Sequence, residues 1–411
     1  MSSPLPRRAH EALVRRFAAA HRDRPGGEVA VGHHNRNYVV PLDWPLALLL
    51  GRMPFGTRAK FRTPLDAVEV VPRIWPSEAE VLRAVTRRLG EVPRCLADFG
   101  DWSIHSYVPG RPLSEEIPHG PVGEELLRSF ARFFARTACV PEAELPPLPA
   151  DWPVSGDTQS FLRRLIDFTE LRVHRHNRRR FGALFRAVGV RTDAMTAFAA
   201  RLPLLAPRPF CLIHTDVHRA NVVIVRPGRT VVIDWELSMF GDPVHELATH
   251  LVRMGYDEAE RDRMRDLWAD ELTEAGRAEL TKGLDTDLPV YLDFEYAQSV
   301  FPDIMRAALA LPAVPADEDF EAAAAPVRRA LRRAAEPLRL KGVPGTGRVV
   351  TALRAWHAGD VGERFLGAGA GAGPVSRLGG PGRLRPGPDP FAPLGPDQLA
   401  GTLNCGPWQS R

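Results

Sequence analysis

Apolar positions near the start of the chain recur at helical spacing. Ala9, Leu13, Phe17 and Ala18 predict a helix over residues 6–20. The pattern then shortens into β-rich runs at 28–31 and 37–41, separated by Gly32-His33-His34-Asn35-Arg36. Residues 45–50 (PLALLL) are far too short to span a bilayer and read as a strand or a buried turn. Residues 67–75 (AVEVVPRIW) read as another strand, with Pro72 marking an edge or a bulge. Pro76 and Ser77 open a helix to about residue 89, and Glu78 and Glu80 suit the positive end of its dipole. Residues 94–108 predict two short strands around Gly100-Asp101, after which Pro109-Gly110 punctuates the chain. Helical patterns follow at 123–138, 158–175, 180–201, 244–254, 257–275, 290–310 and 317–338, with a Pro-rich connector at 141–153.

This order predicts an α+β chain with a small β-rich N-terminal lobe (1–106) and a larger helical lobe (107–342). Residues 343–411 form a Gly/Pro-rich tail, with GAGAGAG at 367–373, whose composition predicts disorder. The bulk composition changes little: of 411 residues, 44% are apolar and 25% charged, as in ordinary globular proteins. A net charge of +4, with no stretch interleaving basic and aromatic residues, argues against nucleic acid as the partner. Cys95, Cys139, Cys211 and Cys405 form no CxxC pair, which fits a reducing cytoplasm. The N-terminus carries no apolar run of the signal-peptide type, and no membrane partner is expected.

The informative segment is 209–236, PFCLIHTDVHRANVVIVRPGRTVVIDWE. An apolar run leads into His214-Thr215-Asp216, and Asn221 follows five residues after the aspartate. Two β-branched runs, 222–225 and 231–233, then flank Pro227-Gly228 as the arms of a hairpin. If that dipeptide is the whole loop, Asn221 faces Asp234, although a Pro-Gly turn matches hairpin twist poorly and the register could slip by a residue or two. An amide oxygen and a carboxylate brought to one hairpin end, beside a third carboxylate, suit Mg²⁺. HxDxxxxN followed by an Asp after a hairpin is also the kinase order, in which the loop Asp orients the substrate hydroxyl.

These residues, with Phe240-Gly241-Asp242-Pro243 behind them, resemble the aminoglycoside phosphotransferase and choline kinase group over roughly residues 25–310. The resemblance implies a protein-kinase-like fold and an ATP-dependent O-phosphotransferase of a small hydroxylated molecule, with Mg²⁺. On it, Asp216 is the catalytic base, Asn221 and Asp234 are metal ligands, His214 braces the loop, and Asp242 caps the next helix. The family commonly has Gly where this chain has Thr215. A catalytically idle kinase-like binding protein and a choline- or homoserine-type kinase are the alternatives.

The phosphate loop falls at residues 32–38, where backbone N–H groups near Gly32 and the Asn35 side chain could reach phosphate oxygens. Arg73 stands where the phosphate-binding lysine is expected, with Glu78 as its helix partner; Lys60 is its rival. Residues 103–108 take the place of the strand that meets the adenine. For the acceptor, Glu236 is close to the metal aspartate in sequence. Tyr291, Phe294 and Glu295 share a helix face that could hold an amine or a sugar and could equally be an ordinary core stripe.

Overall fold

The computed structural model describes residues 7–22, 28–31, 35–52, 57–64, 71–90 and 92–369. The chain forms two compact units: residues 1–67, 74–150 and 209–281 make the first, and 68–73, 151–208 and 282–411 the second. The first unit therefore contains both the expected nucleotide-binding strands and the 209–236 segment, so its limits differ from the expected division at 106.

A five-stranded antiparallel sheet opens the first unit. Its strands are β1 (Glu28–Val31), β2 (Asn35–Pro41), β3 (Arg58–Pro64), β4 (Cys95–Asp98) and β5 (Ser103–Ser106), in the order β1-β2-β3-β5-β4. β3 occupies the centre, and its residues alternate strictly between two environments. Ala59 and Phe61 are fully buried and pack with Val40, Leu46, Trp102, Ile104 and the helix residues Val14 and Ala18. Lys60 and Arg62 point to the other face, as the period of two requires. Lys60 pairs across the ladder with His105, and Arg62 with Ser103.

Two expectations are corrected here. The strand expected at 67–75 is absent from its described part: residues 71–76 have no strand pairing. Residues 45–49 form neither strand nor turn but most of a helix, Trp44–Leu49, and only Leu50 is in a turn. Asp43 caps it, accepting the Leu46 N–H at 3.1 Å, and Pro45 sits in its first turn, where a missing N–H costs nothing.

Downstream in the same unit, β6 (Arg111–Pro112), β8 (Val222–Arg226) and β9 (Arg229–Val232) form one small sheet, and β7 (Cys211–Ile213) pairs with β10 (Met239–Gly241) in another. Gly110 must be a glycine: a Cβ there would lie 2.3 Å from the carbonyl oxygen of Ile224. Behind these strands lie the helices Glu124–Ala138, Pro243–Met254 and Glu258–Glu274. The second of them is buried on almost every face, so it is held as a fixed wall.

The second unit is helical. Thr158–Phe168 runs into a π-helical stretch, Thr169–Arg175, and the predicted 180–201 helix is two, Arg178–Ala187 and Ala194–Ala199, separated where Gly189 takes φ +94°. Leu284–Leu309 and Asp317–Ala334 follow. The expected tail is corrected in its first part, since Thr346–Gly369 is a helix. Val349, Ala352, Leu353 and Trp356 are buried at i, i+3, i+4 and i+7. Trp356 stacks on Phe181 with ring centroids 5.3 Å apart, and its Nε1 donates to the Arg180 carbonyl at 3.0 Å. Arg180 also binds Asp360 through Nε at 2.5 Å. No described helix is long and apolar enough to cross a membrane.

Replacing Trp356 with Ala removes this stacked contact. It should destabilise the chain by about 3 kcal/mol, read as a lower urea midpoint, by the usual cost of emptying a buried aromatic site. An unchanged midpoint would show that the helix does not contribute to the core.

Candidate active site

Asp216 lies at the end of β7, on a loop that turns through an unfavourable backbone conformation. Thr215 has φ +62°, a region that side-chain-bearing residues avoid at a cost of order 1 kcal/mol. The loop offsets this with hydrogen bonds. Thr215 Oγ1 donates to the Leu237 carbonyl at 2.7 Å, and the Thr215 N–H donates to Glu246 Oε1 at 3.0 Å. The other Glu246 oxygen accepts the His214 N–H. A carboxylate from the helix Pro243–Met254 thus takes two consecutive backbone donors and fixes the turn. Glu246 was not among the expected site residues; the strain at a position where Gly is usual was the signal that some such partner is needed.

His214 is fully buried and lies edge-on to Trp235 at 4.7 Å, and its Nδ1 accepts the Asp216 N–H at 3.3 Å. This is a bracing position. Asn221 Nδ2 donates to Asp216 Oδ2 at 2.8 Å and to the Asp216 carbonyl at 3.0 Å, closing the loop on itself. Arg253 pairs with Asp216 Oδ1, and His218 Nε2 stands 3.5 Å from the same oxygen. Burial raises the Asp216 pKa, but Arg253 and His218 outweigh it, so the carboxyl sits below its ordinary value. Asp242 caps the helix behind the loop, accepting the Val244 N–H at 2.9 Å.

The hairpin shows where the register slips. Arg226 pairs with Arg229 around a Pro227-Gly228 turn, but a bulge between Ile224 and Arg226 shifts the rest by one, so Val222 faces Val232. Asn221 consequently lies opposite Ile233, whose N–H donates to the Asn221 carbonyl at 2.9 Å, and not opposite Asp234. Asp234 follows in a left-handed conformation, φ +71°.

A second centre surrounds Arg62 on β3, a residue absent from the expected set. Its guanidinium is 4% exposed and meets three carboxylates: Glu78 at 3.0 Å, Asp234 at 2.5 Å and Glu236 at 3.0 Å. Glu78 also accepts the Trp235 N–H at 2.8 Å, tying the helix Glu78–Val85 to the residue after Asp234. Burial raises the Asp234 carboxyl, but Arg62 and Lys60 dominate and hold it far below the carboxylate range. Glu78 is raised by burial in spite of Arg62. Lys60, two residues before Arg62 and half-buried on the same face, is lowered first by burial and then by Arg62, against the pull of Asp234, Glu78 and Glu236.

Arg62 makes the ion pair with Glu78 that was expected of Arg73, and Arg73 falls in the segment 68–73 of the second unit. Gly32 lies outside the described residues; Asn35 begins β2, opposite Pro64. Glu236 is committed to Arg62. Tyr291 is fully buried and Glu295 is 2% exposed, accepting from Gln298 at 2.7 Å, so the helix face carrying them is a core stripe of the second unit. Among the described residues no group of three His, Cys, Asp or Glu side chains is arranged for a metal. The donor set near Asp216 is different in kind: Asn221 uses its N–H group on Asp216, which leaves its amide oxygen for a cation, and Asp234 supplies a carboxylate. Two hard oxygens fit Mg²⁺, which takes few protein ligands and completes its shell with phosphate and water.

Burial also sets the acid behaviour of the first unit. It lowers His105 and His245 to about 3, and His214 and His250 to about 4. These folded values lie below the unfolded one, so their contribution is complete above about pH 6.5 and is lost as pH falls towards 4. Glu246 runs the other way. Burial raises it to about 7, so its contribution is complete below about pH 4.5 and is lost as pH rises through 7. Denaturation followed against pH should show a steep loss of stability below pH 6. Glu246→Gln should flatten the profile between about 4.5 and 7 by up to roughly 3 kcal/mol. A variant profile parallel to the wild type would contradict the Glu246 assignment.

Comparison with known proteins bears on the fold and the family. No curated protein matches the chain by sequence. Among solved structures, the chain is similar to the ethanolamine kinase of Plasmodium vivax (TM-score 0.51, 12% identity, covering 76% of this chain and 81% of that one). It is also similar to the macrolide 2'-phosphotransferase of Brachybacterium faecium (0.46, 18%, 77% and 98%) and to the choline kinase of Streptococcus pneumoniae (0.46, 13%, 80% and 99%). The fold is thus the α+β, protein-kinase-like one. The model of the phosphotransferase enzyme family matches residues 29–282, more than half of the chain. With a kinase-type loop inside that span, the chain belongs to the APH phosphotransferase enzyme family, whose reaction places a phosphoryl group on a hydroxyl.

Proposed function

We propose that the chain transfers the γ-phosphoryl group of ATP to the hydroxyl of a small molecule, with Asp216 as the base. The observation that carries this reading is the double hold of Asn221 on Asp216, through the carboxylate at 2.8 Å and the carbonyl at 3.0 Å. It sets an ionised carboxylate on a rigid loop while leaving the Asn221 oxygen for a metal. The acceptor oxygen attacks the γ-phosphorus, the bond to the β–γ bridging oxygen breaks, ADP leaves, and the hydroxyl proton goes to Asp216. Positioning and charge neutralisation supply most of the rate in such transfers. Asn221 and Asp234 would hold Mg²⁺, which when bound screens the phosphate charge.

Lys60 is the residue we assign to the phosphates, in place of Arg73. It shares a strand face with Arg62 and feels all three carboxylates around it. Arg62 would stay with Glu78 and position the helix. An ATP-consuming reaction and the free thiols of Cys95, Cys139 and Cys211 suit the cytoplasm.

Asp216→Asn should lower turnover by about 10²- to 10⁴-fold with Mg–ATP binding retained, the usual range for a lost general base. Asp234→Asn should also abolish the thermal shift given by Mg–ATP. Lys60→Met should raise the KM for ATP, and Arg73→Met should not. Full turnover in Asp216→Asn would end the assignment of the base.

A further inference from the structure

The groups around Asp216 bear on the acceptor's charge. Arg253 and His218 both face Asp216 Oδ1, and the acids that act on it from nearby are Asp234, itself neutralised by Arg62, and Glu246, whose two oxygens are taken by the His214 and Thr215 N–H groups. Arg253 is 25% exposed, Asp216 16% and His218 30%, so the pair is open to a ligand. Its placement is fixed from three directions. His250 Nδ1 bonds the Val217 carbonyl at 2.9 Å, Arg219 Nε donates to the Met254 carbonyl at 3.2 Å, and Tyr256 holds the far side of His250 at 3.0 Å. Arg219 is in turn anchored on the carbonyls of Ile117 (2.6 Å) and Gly120 (2.5 Å). The loop at 216–219 and the last turn of the helix Pro243–Met254 therefore move as one piece, with Arg253 at its edge.

A cation fixed beside the base is a poor neighbour for an amine. An acceptor carrying ammonium groups would approach Arg253 against like charge, and the carboxyls named here, Asp216, Asp234 and Glu246, already have partners. A carboxylate or phosphate on the acceptor has the opposite effect, since a guanidinium fork matches either group with two parallel hydrogen bonds.

We propose that Arg253 is a specificity-determining residue and that the acceptor is a hydroxylated anion whose carboxylate or phosphate pairs with the Arg253 guanidinium. Binding of that anion draws Arg253 away from Asp216 Oδ1, and the freed oxygen receives the acceptor hydroxyl. The ion pair seen without substrate is then a resting contact that the right substrate exchanges for its own. This inference rests on the phosphotransferase reading and assigns its acceptor class.

The test uses the full chain with Mg²⁺ and a non-hydrolysable ATP analogue. Thermal shift is read over hydroxylated compounds in matched charge sets, such as gluconate, glucose and glucosamine, and glycerate, glycerol and ethanolamine, extended to larger hydroxy acids, sugar phosphates and aminoglycosides. Compounds that stabilise the protein are then assayed for ADP release with ATP. The expected result is that stabilising compounds are anionic, with carboxylate and phosphate members separating the two sources of charge. In Arg253→Gln, the KM for these acceptors should rise about ten- to hundredfold relative to the KM for their uncharged partners, the loss expected for charged hydrogen bonds. A structural role alone would lower every class equally. The inference is overturned if no anionic compound stabilises the protein beyond its neutral and cationic partners, or if Arg253→Gln affects all classes alike. The phosphotransferase reading fails separately, through loss of the Mg–ATP thermal shift or full turnover in Asp216→Asn.

Discussion

A guanidinium removed from water has to be neutralised, and the first unit is built around doing so at Arg62. Its charge cannot be shed, because arginine stays protonated under any condition in which the protein folds. Three carboxylates from two places in the sequence converge on it: Glu78 from a helix, and Asp234 and Glu236 from the turn after the β8–β9 hairpin. Removing Arg62 would leave buried carboxylates without their shared cation, which costs several kcal/mol. The central strand of the sheet, the helix Glu78–Val85 and the segment carrying Asp234 are therefore held in one arrangement. That arrangement keeps the Asp234 carboxylate ionised, as the metal role proposed for it requires.

The loop carrying Asp216 is held by a separate device that works on backbone and not on charge pairing. Thr215 takes a left-handed turn that glycine would enter freely, and the cost is offset by Glu246 and the Leu237 carbonyl. The buried carboxyl of Glu246 is thus part of the loop's geometry although it lies about thirty residues away in sequence. Asn221, Arg253 and His218 then orient the Asp216 side chain. The hydrogen bonds to Glu246 and the Leu237 carbonyl are what let a threonine hold this left-handed turn.

Much of this site was legible in the sequence. The order of His214, Asp216, Asn221 and Asp234, the hairpin between the last two, and Asp242 at a helix start all appear in the structure, and the expected membership of a kinase-like phosphotransferase group is borne out. What escaped shares a physical cause. β3 was missed because its functional face is Lys60 and Arg62, so an apolar count sees only Ala59 and Phe61 in a short polar stretch. Arg62 was missed with it, and Arg73 took its place by position alone. The one-residue slip at Asn221 comes from a bulge that no residue pattern marks. The 346–369 helix was hidden by the Gly/Pro density of the residues beyond it, although Val349, Ala352, Leu353 and Trp356 carry a helical stripe. Glu246 and Arg253 act on the loop only through the third dimension.

The central claim is a division of labour on one strand face: Arg62 anchors the helix and the Asp234 segment, and Lys60 meets the phosphates. The most direct measurement is a crystal structure with Mg²⁺ and a non-hydrolysable ATP analogue. The account predicts the Lys60 amine on the phosphate oxygens, the metal on Asp234 and Asn221, and Arg62 still paired with Glu78. Arg62 found on the phosphates with Glu78 released, or Arg73 found there in place of Lys60, would contradict it.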